Sequence, residues 1–199
     1  MSATPLNGSN DFVTGAVLHV VQPDGTAVPT SLSAPTAVNG NVGVVSGSFV
    51  RPANVLAYAV GSLVANSVTA ASVVPVYVPV ARINGASFTA RRVHIKTNDQ
   101  AWANATIRAH IYLNSPTFAN GDGGTWLTTE SEYLGYTDVT LDRVFSDSVK
   151  GFGVPSVGSE WNGISATGTQ NVFVVLESRS AVTQGSATTF TVTAEVFQN

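Results

Sequence analysis

Along much of the chain apolar and polar residues alternate with a period of two. The clearest run is Asn104 to Asn114, where Ala105, Ile107, Ala109, Ile111 and Leu113 share one face and Asn104, Thr106, Arg108, His110 and Tyr112 share the other. Successive side chains of a strand point to opposite faces, so this pattern predicts a strand buried on one side. Thr188, Phe190, Val192, Ala194 and Val196 alternate in the same way with Thr189, Thr191, Thr193, Glu195 and Phe197. Asn171 to Glu177 is apolar on both faces, which predicts a central strand covered on both sides. Further strands are expected at Val42–Val50, Phe88–Thr97 and Val139–Phe145. Another is expected at Val73–Val80, where Pro75 and Pro79 lack an N–H and confine the run to an edge or a bulge. Residues 115–137 and 146–170 are rich in glycine and turn formers and read as long loops. The best helix candidate, Leu63–Ala71, is rich in β-branched residues and serine, poor material for a helix face. About eight strands joined by long crossing loops predict an all-β fold, an antiparallel two-sheet sandwich of jelly-roll type.

The first 41 residues follow a different pattern. Residues 1–12 are polar, Ala16–Val21 is a short β run, and Gln22-Pro23-Asp24-Gly25 has the residues of a tight turn. Thr26–Pro29 can return as the second strand of a small hairpin, and residues 30–41 have a linker's composition. We therefore expect an extended N-terminal arm over 1–41 and the sandwich domain over 42–199. The alternative is that the hairpin adds edge strands to that domain.

Composition narrows the classes of function. Charged residues make up 11% of the 199, less than half the usual ~25%. Serine, threonine, asparagine, glycine and alanine take their place, as suits a surface packed against neighbours and also many secreted domains. With a net charge of −3 and no dense Lys/Arg cluster, no nucleic-acid partner is expected. There is no cysteine, which removes disulfides, thiol catalysis and cysteine-held zinc. The segment from Met1 to Gly8 has neither the basic nor the apolar part of a signal peptide, and its Met1 fits synthesis in the cytoplasm. No run of ~18 apolar residues is present, so no membrane partner is expected.

Candidate chemistry is sparse. If 88–97 and 104–114 form a hairpin, His94 and His110 sit on neighbouring strands, but no acidic residue in either run completes a metal site. The same hairpin would gather Arg92, Lys96 and Arg108 into a basic stripe, either a solvated face or a contact for an acidic subunit. Glu130 and Glu132, and Asp138 and Asp142, are close in sequence, as paired carboxylates of a glycosidase could be, yet spacing along the chain does not give their separation in space. G-x-S-x-G, P-loop and dinucleotide fingerprints are absent, so neither an enzyme nor a cofactor site is expected. Asn120-Gly121-Asp122-Gly123-Gly124 has a calcium loop's composition without its ligand alternation or closing Glu, and reads as a turn. Trp102, Trp126 and Trp161 fall in or beside loops, where they can fill the core, anchor an interface or stack on sugar rings.

Phe49 to Ser67, with Arg51-Pro52-Ala53, Tyr58-Ala59 and Gly61, resembles a segment of small structural proteins of tailed bacteriophages, similar to head decoration or cement-type proteins. Ile111–Thr117 with the Asp/Gly loop behind it, and the closing threonine-rich strand, fit the same resemblance, which spans 49–197 and not the arm. It implies a virion structural protein made in the host cytoplasm. Such a protein binds the capsid surface across subunits of the major capsid protein as a homo-oligomer, often a trimer. Contact candidates for the capsid or a neighbouring copy are Val17, Leu18 and Val20 in the arm, the stripe of Arg92, Lys96 and Arg108, and the three tryptophans. The alternative role is a tail- or fibre-associated carbohydrate-binding sandwich; a secreted hydrolase or adhesin domain ranks behind both.

Overall fold

A computed structural model describes residues 19–21, 27–29, 41–156 and 158–198 and divides the chain into two compact units, Met1–Ala37 and Val38–Asn199. In the first unit β1 (His19–Val21) and β2 (Ala27–Pro29) pair antiparallel, with Val20 opposite Val28. Val17, Leu18 and the turn expected at 22–25 lie outside the described residues.

The second unit is almost wholly β. Its strands are β3 (Asn41–Val50), β4 (Leu56–Tyr58), β5 (Leu63–Val64), β6 (Val76–Val78), β7 (Ser87–Thr97), β8 (Thr106–Tyr112), β9 (Tyr133–Val144), β10 (Val149–Gly153), β11 (Asn162–Ile164), β12 (Val172–Ser178), β13 (Val182–Gln184) and β14 (Thr189–Gln198). Two single 3-10 turns, Ala70–Ser72 and Gln100–Trp102, are the only helical pieces among the described residues. The main sheet is antiparallel throughout and runs β3-β14-β7-β10-β9-β8-β12-β5, with β11 added to β7 and β6 to β12. β4 and β13 form a separate ribbon.

The sheet curls until its two ends meet. β6, held by β12 near one end, comes back against β3 at the other. A Cβ at Gly47 in β3 would fall on the Tyr77 carbonyl oxygen of β6, so only glycine permits this approach. Gln198 closes the same seam by donating its Nε2 to the Pro79 carbonyl at 3.4 Å. Inside the curl lie the apolar faces of the alternating strands: Val93 and Ile95, Ile107, Ala109 and Ile111, Val139 and Leu141, Val174 and Leu176, and Phe190, Val192 and Ala194. Burial of each large apolar side chain contributes about 1.5–3 kcal/mol, which is why the period-two runs settle as strands facing this interior. A second, smaller cluster covers the outer face of β8 and β12, where Tyr112 and Val175 meet Leu63, Phe118 and Trp126.

Several boundaries differ from the sequence expectation. The strand expected at Val139–Phe145 is the second half of β9, which begins at Tyr133 inside the expected loop. The stretch 146–170 contains β10 and β11. Gly151 and Gly153 make β10 look like a turn, but they are there for contact. A Cβ at Gly151 would strike the Thr140 carbonyl, and one at Gly153 would come within 2.7 Å of the Asp138 carbonyl oxygen. The Val73–Val80 run narrows to three residues between its prolines, on the outer edge of β12. The hairpin of 88–97 with 104–114 does not form: β7 pairs with β14 and β10, and β8 with β9 and β12.

Candidate functional site

With β10 and β9 lying between β7 and β8, the expected basic stripe is split, and His94 and His110 are not neighbours. Each arginine instead meets an acid on the next strand. Arg92 donates to Glu195 at 2.6 Å. Arg108 grips Asp138 with Nε and Nη2 at 2.7 and 2.8 Å and lies 3.8 Å over the Tyr136 ring. Cross-strand pairs of opposite charge support a sheet modestly, and these are of that kind. Lys96 is exposed and stands opposite Lys150. His94 packs edge-on to Phe152 at 4.5 Å, and its Nε2 lies 3.0 Å from Glu195 Oε1, close but not aligned for a hydrogen bond. Burial lowers its pKa, and nearby Lys150 pushes the same way against Glu195.

Two of the three tryptophans are core residues, which corrects their assignment as contacts. Trp102 and Trp161 have no exposed surface. Trp102 stacks edge-on to Phe190 at 5.3 Å and donates Nε1 to Gln184 at 3.0 Å. Trp126 is half-buried and lays one face on the His110 ring, 4.0 Å away and nearly parallel.

Beneath Trp126 runs a polar chain that the sequence did not disclose. His110 Nε2 is 2.9 Å from Glu177 Oε2, His110 Nδ1 is 3.0 Å from the Tyr133 hydroxyl, and Arg179 Nη1 donates to Glu177 Oε1 at 2.9 Å. Burial alone would raise Glu177, but hydrogen bonds from His110 and Arg179 hold its carboxyl below the usual range. An ionised carboxylate only accepts, which assigns the proton to Nε2 and makes Nδ1 the acceptor of the Tyr133 O–H. Burial lowers the His110 pKa despite Glu177. Carboxylate, imidazole and hydroxyl in series form the skeleton of a proton relay. Burial pushes the Tyr133 phenol at its end up to about 12, so that hydroxyl stays protonated. The chain ties β8 to its neighbours β9 and β12, and the indole stacked across the imidazole holds the loop carrying Trp126 against the sheet.

The second polar assembly is built on the Asp/Gly loop. Asp122 and Arg51 form an ion pair with no exposed side-chain surface on either partner. Asp122 also accepts from the Tyr58 hydroxyl at 2.6 Å and from the Ala65 backbone N–H at 2.8 Å. Arg51 reaches Asn54 Oδ1 and the Gly185 carbonyl, both at the long limit of hydrogen bonding. The loop is thus a turn whose carboxylate serves an arginine. Burial and the Asp122 carboxylate both push the Tyr58 phenol up.

The remaining carboxylates are dispersed in role. Asp142 pairs with Arg143, and Glu130 accepts from the backbone N–H groups of Glu132 and Tyr133. Among the described residues no group of three or more His, Asp or Glu side chains is placed to hold a metal ion. No protein-family model matches this chain, and no curated protein matches it.

Proposed function

We propose that the protein is a non-catalytic virion subunit that decorates a phage capsid and stabilises it by binding across neighbouring subunits of the major capsid protein. In this reading the curled sheet is a jelly-roll-type body and residues 1–41 are an arm reaching to a neighbour. The protein is made in the host cytoplasm and acts at the capsid surface as a homo-oligomer, three copies being what the phage resemblance implies. The observation that carries the reading is the character of the outer surface. It is poor in charge and exposes large apolar side chains, among them Val44, Val74, Phe145, Val154 and Ile164. Such a surface suits broad packed contacts.

A protein that binds the assembled shell and not its free parts stabilises the shell by mass action, and many copies multiply a modest contact. The test is thermal disruption of particles with and without the protein. A higher disruption temperature with it is expected; equal temperatures would overturn the proposal. The carbohydrate-binding alternative drew on the three tryptophans. With Trp102 and Trp161 buried, it rests on Trp126 alone.

A further inference from the structure

We propose that the open edge of β3 is a self-association site, where a second copy of this chain pairs its own β3 antiparallel about a two-fold axis at Ser46. The inference rests on the structural-subunit reading for its purpose but not for its geometry, and it puts two copies where the phage resemblance implies three. β3 pairs with β14 along its whole length, Asn41 to Val50, without a register shift. Among the described residues no strand hydrogen-bonds to its other edge; β6 packs against the inner face of β3 at Gly47 without forming a ladder with it. An open edge offers a row of unpaired N–H and C=O groups, and proteins that stay apart blunt such edges with charge, proline, bulges or short length. Asn41–Val50 has none of these: it is ten residues long and carries no charged residue and no proline. The edges at the other end of the sheet are blunted, since β5 has two residues and β6 has three, set between Pro75 and Pro79.

The side chains argue for the same occupant. Val42, Val44 and Val50 are 58%, 70% and 53% exposed. Beside the edge lies a groove of about 500 Å³, its apolar wall made by Val50, Val74, Pro75 and Tyr77. The strand is also complementary to itself. With Ser46 opposite its counterpart, Val42 faces Val50 and Val44 faces Ser48 on the outer side. On the inner side Gly43 faces Phe49 and Val45 faces Gly47, large against small. Apolar cross-strand pairs stabilise a sheet, and an uncharged strand brings no like charges together. Nine paired residues, Val42 to Val50, supply about eight to ten backbone hydrogen bonds, within the number a stable protein interface carries. Two-fold pairing consumes the edge on both copies, so assembly closes at two and does not run on into a fibre.

Light scattering on the intact chain tests this directly. A mass of two copies is expected, falling to one copy in Val44→Lys with an unchanged far-ultraviolet circular dichroism spectrum. The chain has no cysteine, so Ser46→Cys adds a single thiol. Antiparallel partners sit with Cα atoms ~4.5–5.5 Å apart, within the span a disulfide bridges. Oxidised Ser46→Cys should therefore run as a covalent dimer, while Thr140→Cys on central β9 should not. If Val44→Lys fails to fold, the cysteine pair decides alone. A one-copy or three-copy mass for the unaltered chain overturns the proposal. So does a two-copy mass indifferent to Val44→Lys, or a Ser46→Cys variant that stays uncrosslinked. Particles whose disruption temperature ignores a protein that is dimeric by these measures would end the capsid reading and leave the dimer standing.

Discussion

Arg51 and Asp122 lie 71 residues apart in the chain and share a salt bridge sealed from solvent. The pair joins the segment after β3 to the Asp/Gly loop, and Tyr58 and the Ala65 N–H complete the carboxylate's shell. Removing one partner leaves the other charged and buried, which costs about 3–5 kcal/mol. Asp122→Asn and Arg51→Met should each lower stability by that order in urea unfolding. The double variant should lose much less than the sum, because the two share one interaction.

Acid should weaken the fold in stages. Burial holds His110 and His94 below the ordinary imidazole range, so as pH falls the unfolded chain takes up these protons first. Stability is therefore expected to fall from about pH 6.5 down through the folded-state values. Glu177, held below the usual carboxylate range, adds a further loss at lower pH. Urea midpoints at pH 8 and pH 5.5 check this: the difference should shrink in His110→Gln, with the remainder belonging to His94.

The seam between β3 and β6 depends on a missing side chain. Gly47→Ala places a methyl group on the Tyr77 carbonyl, and overpacking of this kind costs about 1–3 kcal/mol. Hydrogen exchange should accelerate in β6 and in the β3 half of the seam, with β8 and β9 protected as before. Uniform acceleration across the sheet would contradict a local seam.

Tryptophan fluorescence reports the burial of the three indoles. Iodide should quench Trp126 and spare Trp102 and Trp161, so Trp126→Phe should abolish the quenchable fraction. Retained quenching in that variant would mean that a second indole is exposed, and would reopen sugar stacking.

Where strands alternate, the sequence was readable. β14 and the inner face of β8 emerged because burial on one side imposes period two on the residues themselves, but the sequence did not show that His110 and Tyr112 on the outer face of β8 are buried as well. The first half of β9 and the whole of β10 stayed hidden, since Gly135, Gly151 and Gly153 serve close contacts with other segments and look locally like turns. The polar chain was illegible for a related reason. Glu177 reaches His110 because β12 lies beside β8, with Val175 as the residue directly opposite His110. That neighbourhood is set by the order of strands in the sheet, which no local pattern encodes. Arg51 and Tyr58 stood out within a familiar-looking segment, yet their shared partner Asp122 lay in a loop whose composition suggested only a turn.

The order of the strands also bears on how the chain is born. β3 ends at Val50, and β14, its only hydrogen-bonded partner strand among the described residues, begins at Thr189. At the usual ~5–20 residues per second, the ribosome spends on the order of ten seconds between the two. Throughout that interval β3 is a charge-free, valine-rich strand with both edges open. Neighbouring ribosomes on one message would then carry the same sticky strand side by side. Expression at lower temperature, or with holdase chaperones in excess, is accordingly the condition under which the soluble yield should rise.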